Sequence, residues 1–298
     1  MRLVQMISKL IRIKKLLNSF FLTALFLWNV PAWAEEIKWA HVDHPPMFIN
    51  SGLYAGSGFA DQQTKFMQQK LKDQQHIDVP SDFVTIMRHF VQKDDLCTFG
   101  IFKTRERENF LHYTSVPYGK LLPSGIIVEK QTQEKLSAFI EPDGSIDLNR
   151  ILSETELRFG FNKGRRYSSV IDDFVLLNAD YAPERFWNRE LKPSDSKNFK
   201  LLKGGRIDIT FGYPYEISFY NMVQGVQNDF IYIPVKGMPK FVDVYIACSK
   251  TDWGMKQVNL FNTVLFNKEN LVSLEKFYLN WLGEEEQNLF HILTKKGL

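Results

Sequence analysis

Residues Cys97 to Tyr118 read CTFGIFKTRERENFLHYTSVPY. An apolar run, Leu96 to Phe102, gives way to the charged cluster Lys103-Thr104-Arg105-Glu106-Arg107-Glu108 and then to an aromatic segment closed by Pro117-Tyr118. That order predicts a strand feeding a helix start. A Thr at the cap with arginines in the first turn sets a guanidinium beside unpaired backbone N–H groups, a chemistry that suits a carboxylate or similar anion. The same residues also describe a capped surface helix with solvated charges, and alone they do not choose between the two.

Upstream, Ile37 to Val42 reads as a buried strand running into His41-Val42-Asp43-His44-Pro45-Pro46-Met47-Phe48, where two prolines end it and stiffen a loop. Gly56-Ser57-Gly58-Phe59-Ala60-Asp61 follows, opening a helix with Phe59, Phe66, Met67 and Leu71 at helical spacing. This is no dinucleotide fingerprint, because Asp61 replaces the third glycine and a loop separates the motif from the strand. A short strand near Ile77 to Val79 and a helix from Ser81 or Asp82 through Phe90 lead to Cys97. The alternation predicts a mostly parallel sheet.

Downstream, a strand over Ser124 to Lys130 leads into a second alternating series. It comprises a strand Leu157 to Asn162, a turn Lys163-Gly164-Arg165-Arg166, a helix Tyr167 to Leu177, and a short helix ending at Gly204-Gly205. A strand Arg206 to Phe211, a helix from Pro214 and a strand Phe230 to Val235 complete what reads as a second sheet. Phe241 to Cys248 is a further strand, and the tail from Asn259 to Leu293 is helical.

The first 34 residues have the layout of an export signal, with Arg2, Lys9, Arg12, Lys14 and Lys15, an apolar core from Leu16 to Val30, and Ala32-Trp33-Ala34 as a leader-peptidase site. Cleavage is expected after Ala34. The chain has 37 basic and 34 acidic residues, and five of the basic ones lie in this leader. The remainder is near neutral, so a nucleic-acid partner has no basic face to support it. The two cysteines, Cys97 and Cys248, cannot make a structural zinc site unaided. In an exported chain they are either one disulfide or two buried thiols.

The ordered landmarks Pro45-Pro46-Met47-Phe48, Gly58-Phe59-Ala60-Asp61, Thr104-Arg105-Glu106-Arg107, Pro117-Tyr118 and Gly205-Arg206-Ile207-Asp208 resemble the periplasmic solute-binding proteins of family 3. The resemblance spans nearly all of the chain after the leader. It implies the α/β type II binding-protein fold, two lobes joined by two crossing strands, with a small-molecule ligand held in the cleft and closed over by a hinge motion. The crossings would lie near Glu129-Lys130 and Lys240-Phe241, making lobe one discontinuous (residues 35–129 and 241–298) and lobe two residues 130–240. The strand returning from lobe two would lie antiparallel beside the Cys97 strand. That sets Cys97 against Cys248 and favours the disulfide.

In the family the Arg of a Thr-x-x-Arg motif clamps the ligand carboxylate, and Thr104 and Arg107 hold those places here. The resemblance further implies Phe48 and Phe83 as aromatic walls and Arg165, Tyr167 and Tyr213 as the lobe-two half of the site. Departures from the family pattern bear on the ligand. Phe99, Gly100 and Phe102 stand where amino-acid binders keep serines, and Tyr213 stands where they carry an acid, leaving Glu216 as a substitute partner for an ammonium. Arg165 replaces a hydroxyl residue and Arg166 follows it, and two basic groups at a helix start favour an anionic ligand.

The function implied is a monomeric, periplasmic solute-binding protein without cofactor or metal, delivering a carboxylate-bearing solute to an ABC permease or reporting it to a membrane sensor. Two alternatives are an enzyme on the same scaffold, dehydratase-like, with His41, Asp43, His44 and Glu216 as acid–base candidates, and a ligand-free interaction module. No Ser-His-Asp or Cys-His elbow is present.

Overall fold

The apolar run Cys97–Ile101 becomes a buried strand inside a six-stranded sheet. The computed structural model describes residues 35–162, 165–189, 197–226 and 229–295. The leader expected over residues 1–34 lies outside the described residues, as do Lys163 and Gly164 of the expected turn.

The first sheet holds β1 (Glu36–His41), β2 (Gln75–Pro80), β3 (Cys97–Ile101), β4 (Leu111–Tyr113), β5 (Gly119–Leu121) and β11 (Val242–Ser249). Its order is β2-β1-β3-β11-β4, with β5 also on β11. The β1–β2 and β1–β3 pairs are parallel, whereas β11 runs antiparallel to β3, β4 and β5. The sheet is therefore mixed, because its completing strand arrives from the other lobe. Cys248 lies directly opposite Cys97 in that pairing, with a Cα separation of 4.0 Å, and the two are joined as a disulfide.

Two helices follow the parallel strands. α1 (Phe59–Lys70) begins where the Asp61 carboxylate accepts the Gly58 N–H at 3.0 Å. α2 (Phe83–Gln92) is capped by Asp82, which accepts from the Thr85 N–H at 2.9 Å, and stops at Lys93 with φ 63°. The helix expected to start at Thr104 is only a single 3-10 turn, Arg107–Asn109. It has no apolar stripe to bury, and Leu111–Tyr113 is recruited at once to the open edge of β11. A helix dipole therefore cannot help bind an anion there.

The second sheet contains β6 (Gly125–Glu129), β7 (Phe159–Asn162), β8 (Phe186–Arg189), β9 (Ile209–Gly212) and β10 (Phe230–Ile233), in the order β10-β6-β9-β7-β8. Strands β7, β9 and β10 are buried throughout, as continuous apolar strands covered on both faces must be. Ile126 and Val128 point into one layer with Ile171 and Phe174 of α5 (Ser169–Asn178). Ile127, between them, points into the other layer with α6 (Lys197–Lys203) and α7 (Pro214–Gln224). Two short helices, α3 (Lys130–Leu136) and α4 (Leu148–Glu154), complete this lobe.

The chain leaves the first sheet after Leu121 and enters the second at Gly125, ahead of the expected passage near Glu129. Both lobes grip this passage, with the Tyr278 hydroxyl accepting from the Leu122 N–H at 3.0 Å and the Tyr232 hydroxyl donating to the Pro123 carbonyl at 2.9 Å. The tail forms three helices, α8 (Asp252–Leu265), α9 (Lys268–Leu279) and α10 (Glu284–Lys295). Their Phe261, Leu274, Tyr278 and Phe290 bury against Trp39 and Phe99 in the first lobe's core. Tyr213 and Tyr215, at the start of α7 in the second lobe, pack into that same core, with the Tyr215 ring 5.3 Å from Phe59.

Candidate functional site

Strand β3 ends in a backbone turn that only a glycine adopts easily, because Gly100 has φ +73°. Met47, from the double-proline loop, lies over it so closely that a Cβ on Gly100 would fall 1.9 Å from the Met47 methyl. Phe99 turns inward onto Tyr118, ring centroids 4.9 Å apart. Around Phe99 and Gly100 the space is thus taken by aromatic rings and a thioether.

Just beyond, the Thr104 hydroxyl accepts from the Arg107 N–H at 3.3 Å. The Arg107 guanidinium donates through Nη1 to the Phe102 carbonyl at 3.0 Å and lies 5.6 Å from the Phe83 ring. Phe83 is half exposed at the first turn of α2. Among the described residues no carboxylate lies within ion-pair distance of Arg107. Thr104, Arg107 and Phe83 therefore come together in the first lobe.

Arg165, Tyr167 and Tyr213 come together in the second lobe, around Glu216. Arg165 donates through Nη1 to Glu216 Oε2 at 3.2 Å and through Nη2 to Oε1 in a shorter contact. The two side chains are only 10% and 15% exposed. The guanidinium is 4.9 Å from the Tyr167 ring and 5.8 Å from Tyr213. The Tyr213 N–H also donates to Glu216 Oε1 at 3.3 Å, so a capping box at the start of α7 aims the carboxylate at Arg165. Burial opposes the charge on Arg165, but Glu216 more than offsets this and raises its pKa. Burial pushes the Tyr213 phenol up to about 12 and raises Tyr167, so both rings stay neutral.

This pairing joins the two groups that the sequence offered to a ligand. Arg165 is neutralised from within, and both Glu216 oxygens already accept hydrogen bonds. Arg166 points to solvent, 3.6 Å from Asp172. The pair was not legible beforehand because Arg165 and Glu216 stand 51 residues apart. The only local signal was a helix start at Tyr213-Pro214 followed by Glu216, which predicts a cap and says nothing of the cap's second partner.

His44, in the double-proline loop, feels the charges of this pair. Burial, then the Arg165 charge, hold its pKa down to about 4. Phe48 does not join either half-site. It is 3% exposed and stacks on His41 at 5.1 Å, lining a separate cavity at the sheet edge. His41 bonds Asn50 through Nδ1 at 3.0 Å, and Asp43 accepts the Asn50 N–H. Of the acid–base candidates, His44 lies in the field of both Glu216 and Asp43, and His41 and Asp43 meet through Asn50. No group of three His, Cys, Asp or Glu side chains that could hold a metal occurs among the described residues.

No protein-family model matches the sequence, and no curated protein matches it. Solved structures do. A probable amino-acid ABC transporter extracellular-binding protein from Bacillus subtilis matches with a TM-score of 0.60 at 16% identity, over 85% of this chain and 99% of that one. An ancestral cationic amino-acid solute-binding protein matches with a TM-score of 0.59 at 16% identity, over 83% and 96% of the two chains. A histidine kinase sensor domain with similarity to periplasmic binding proteins matches with a TM-score of 0.54 at 12% identity, over 84% and 96%. At such identities the likeness is one of fold. Two α/β sheets, a doubly crossed passage and these matches together give the chain the two-lobed type II fold of periplasmic solute-binding proteins, in a divergent form.

Proposed function

We propose that the protein is an extracytoplasmic solute-binding protein that captures a small molecule bearing a carboxylate or other anionic group, without covalent chemistry. The observation that carries this reading is Arg107. Its guanidinium is held by the Phe102 carbonyl and the Phe83 ring at the end of β3, with no internal counter-ion among the described residues. A guanidinium so placed keeps donors for a planar anion. Because Glu216 is occupied by Arg165, the ligand this cleft suits best is an anion with no primary ammonium. That sets it apart from the amino-acid binders whose fold it shares. The export-signal layout of residues 1–34 supports a periplasmic site of action, and an ABC permease or a membrane sensor is the partner that fits a monomeric protein of this fold.

The test is a thermal-shift screen of the chain from Glu35 onward against organic acids, amino acids, amines and peptides. A ligand at about 100 times its Kd should add about 2.7 kcal/mol of stability. Organic acids are expected to stabilise the protein, and Arg107→Ala to abolish that rise while changing unliganded stability by less than about 1 kcal/mol. Stabilisation by an organic acid that survives Arg107→Ala would overturn Arg107 as the clamp. Silence across the library would favour a second reading, an interaction module, which the filling of both half-sites by Met47 and the Arg165–Glu216 pair supports.

A further inference from the structure

The edge of the first sheet carries a cavity of about 290 Å³, lined by neither Arg107 nor the Arg165–Glu216 pair. It opens where the loop after β1 folds over the start of α1 beside the end of β2, so it lies at the carboxyl ends of two parallel strands. Its floor is the Phe48 ring, stacked on His41.

The polar groups around this cavity are held in place but only half used. Asp61 takes both of its hydrogen bonds, from the Ile49 and Gly58 N–H groups at 3.0 Å, on Oδ2, leaving Oδ1 without one. Asp78 accepts from Gln68 on Oδ1 alone. Lys65 donates to the Gly56 carbonyl at 2.8 Å and has two further N–H groups. His41 and Asn50 bond each other through Nδ1 and Oδ1, leaving the His41 Nε2 and the Asn50 amide nitrogen without a partner. Donors and acceptors thus line the same cavity over one apolar ring. Two carboxylates, Asp61 and Asp78, stand with one ammonium, Lys65, so the charges are mixed in sign. A hydroxyl group both donates and accepts, and it suits this mixture best.

We infer that this edge cavity is a binding site for a neutral, polyhydroxylated molecule of monosaccharide size, held over Phe48 by His41, Asn50, Asp61, Lys65 and Asp78. The size follows from the volume, which lies at the small end of ligand pockets, roughly 300–1,000 Å³. Neither the cleft nor its ligand enters this inference.

The experiment is a titration of the isotopically labelled chain from Glu35 onward with D-glucose, D-ribose and myo-inositol, followed by amide NMR, with acetate and ethylamine as charged controls. The expected result is a saturable shift confined to the amides of Ile49, Asn50, Gly56, Gly58 and their neighbours for at least one polyol, and none for the controls. Lys65→Met and Asp78→Asn, both exposed and distant from the core, should each weaken that binding by about threefold to tenfold. Arg107→Ala should leave it unchanged. The assignment is overturned if no polyol shifts these amides, if the two variants bind as the parent does, or if a charged control saturates the site instead.

Discussion

Arg165 and Glu216 form a two-pronged ion pair in which each takes both terminal atoms of the other, between the rings of Tyr167 and Tyr213. A pair this enclosed is costly to break by halves. Arg165→Ala strands a buried carboxylate and is expected to lower unfolding stability by about 3–5 kcal/mol, whereas the double change Arg165→Met with Glu216→Met should recover most of it. Urea melts of the three proteins measure this. Equal losses in the single and double variants would show that the pair is more solvated than its geometry implies. The single variant should also begin to bind primary amines, which calorimetry reads directly.

A pH dependence follows from His44. Its pKa in the folded protein, about 4, is below the unfolded value of about 6.5. Between those values the unfolded chain binds the extra proton. Stability is therefore full above the unfolded value and falls as pH drops through the window, with the whole penalty reached below about 4. The expected loss between about pH 7 and pH 4.5 is about 2 kcal/mol from this group. Replacing His44 with Gln should flatten the slope of stability against pH in that window. Below it, Asp82, Asp143 and Asp208, whose pKa values are lowered in the fold, add their own acid losses.

Gly100 is fixed by two separate constraints, a positive φ and the Met47 methyl against it. Gly100→Ala should cost about 2 kcal/mol or more. Adding Met47→Ala removes the collision but not the backbone strain, so stability should return only in part. Complete recovery would mean that the backbone turn carries no cost.

Cys97 and Cys248 are fully buried and 151 residues apart in sequence. Replacing both with Ala should lower stability by about 2–5 kcal/mol, since the bridge closes a long loop in the unfolded chain. Reductant alone should leave the folded protein unaffected until it unfolds, because neither sulfur is accessible. A thiol count on native and denatured samples distinguishes the two.

The sequence showed the scaffold more clearly than the site. Strands such as Glu36–His41 and Cys97–Ile101 and the Asp82 cap of α2 announce themselves through apolar runs and capping chemistry, which are local. Strands Leu111–Tyr113, Gly119–Leu121 and Phe186–Arg189 are not legible in the sequence because three or four residues carry no periodicity. They exist because β11 and β7 offer open edges to pair with. The Thr104 cluster misled for the converse reason, since good capping residues do not make a helix when the next segment pays better to pair as a strand. Within the site, Thr104, Arg107 and Phe83 came from landmarks in one lobe. The pairing of Arg165 with Glu216 depended on two distant turns meeting, and no local pattern encodes that.

The strand Val242–Ser249 has a consequence for the order in which the protein can be made. It is the shared neighbour of β3, β4 and β5, and among the described residues the last two have no other partner in the sheet. As the chain emerges from its amino end, everything up to Leu121 must wait, half-assembled, while the whole second lobe is synthesised. Only when residue 249 arrives do the sheet and the cysteine bridge close together. A chain cut short after Ile233 therefore retains a second sheet with all its strands and a first lobe that cannot be finished.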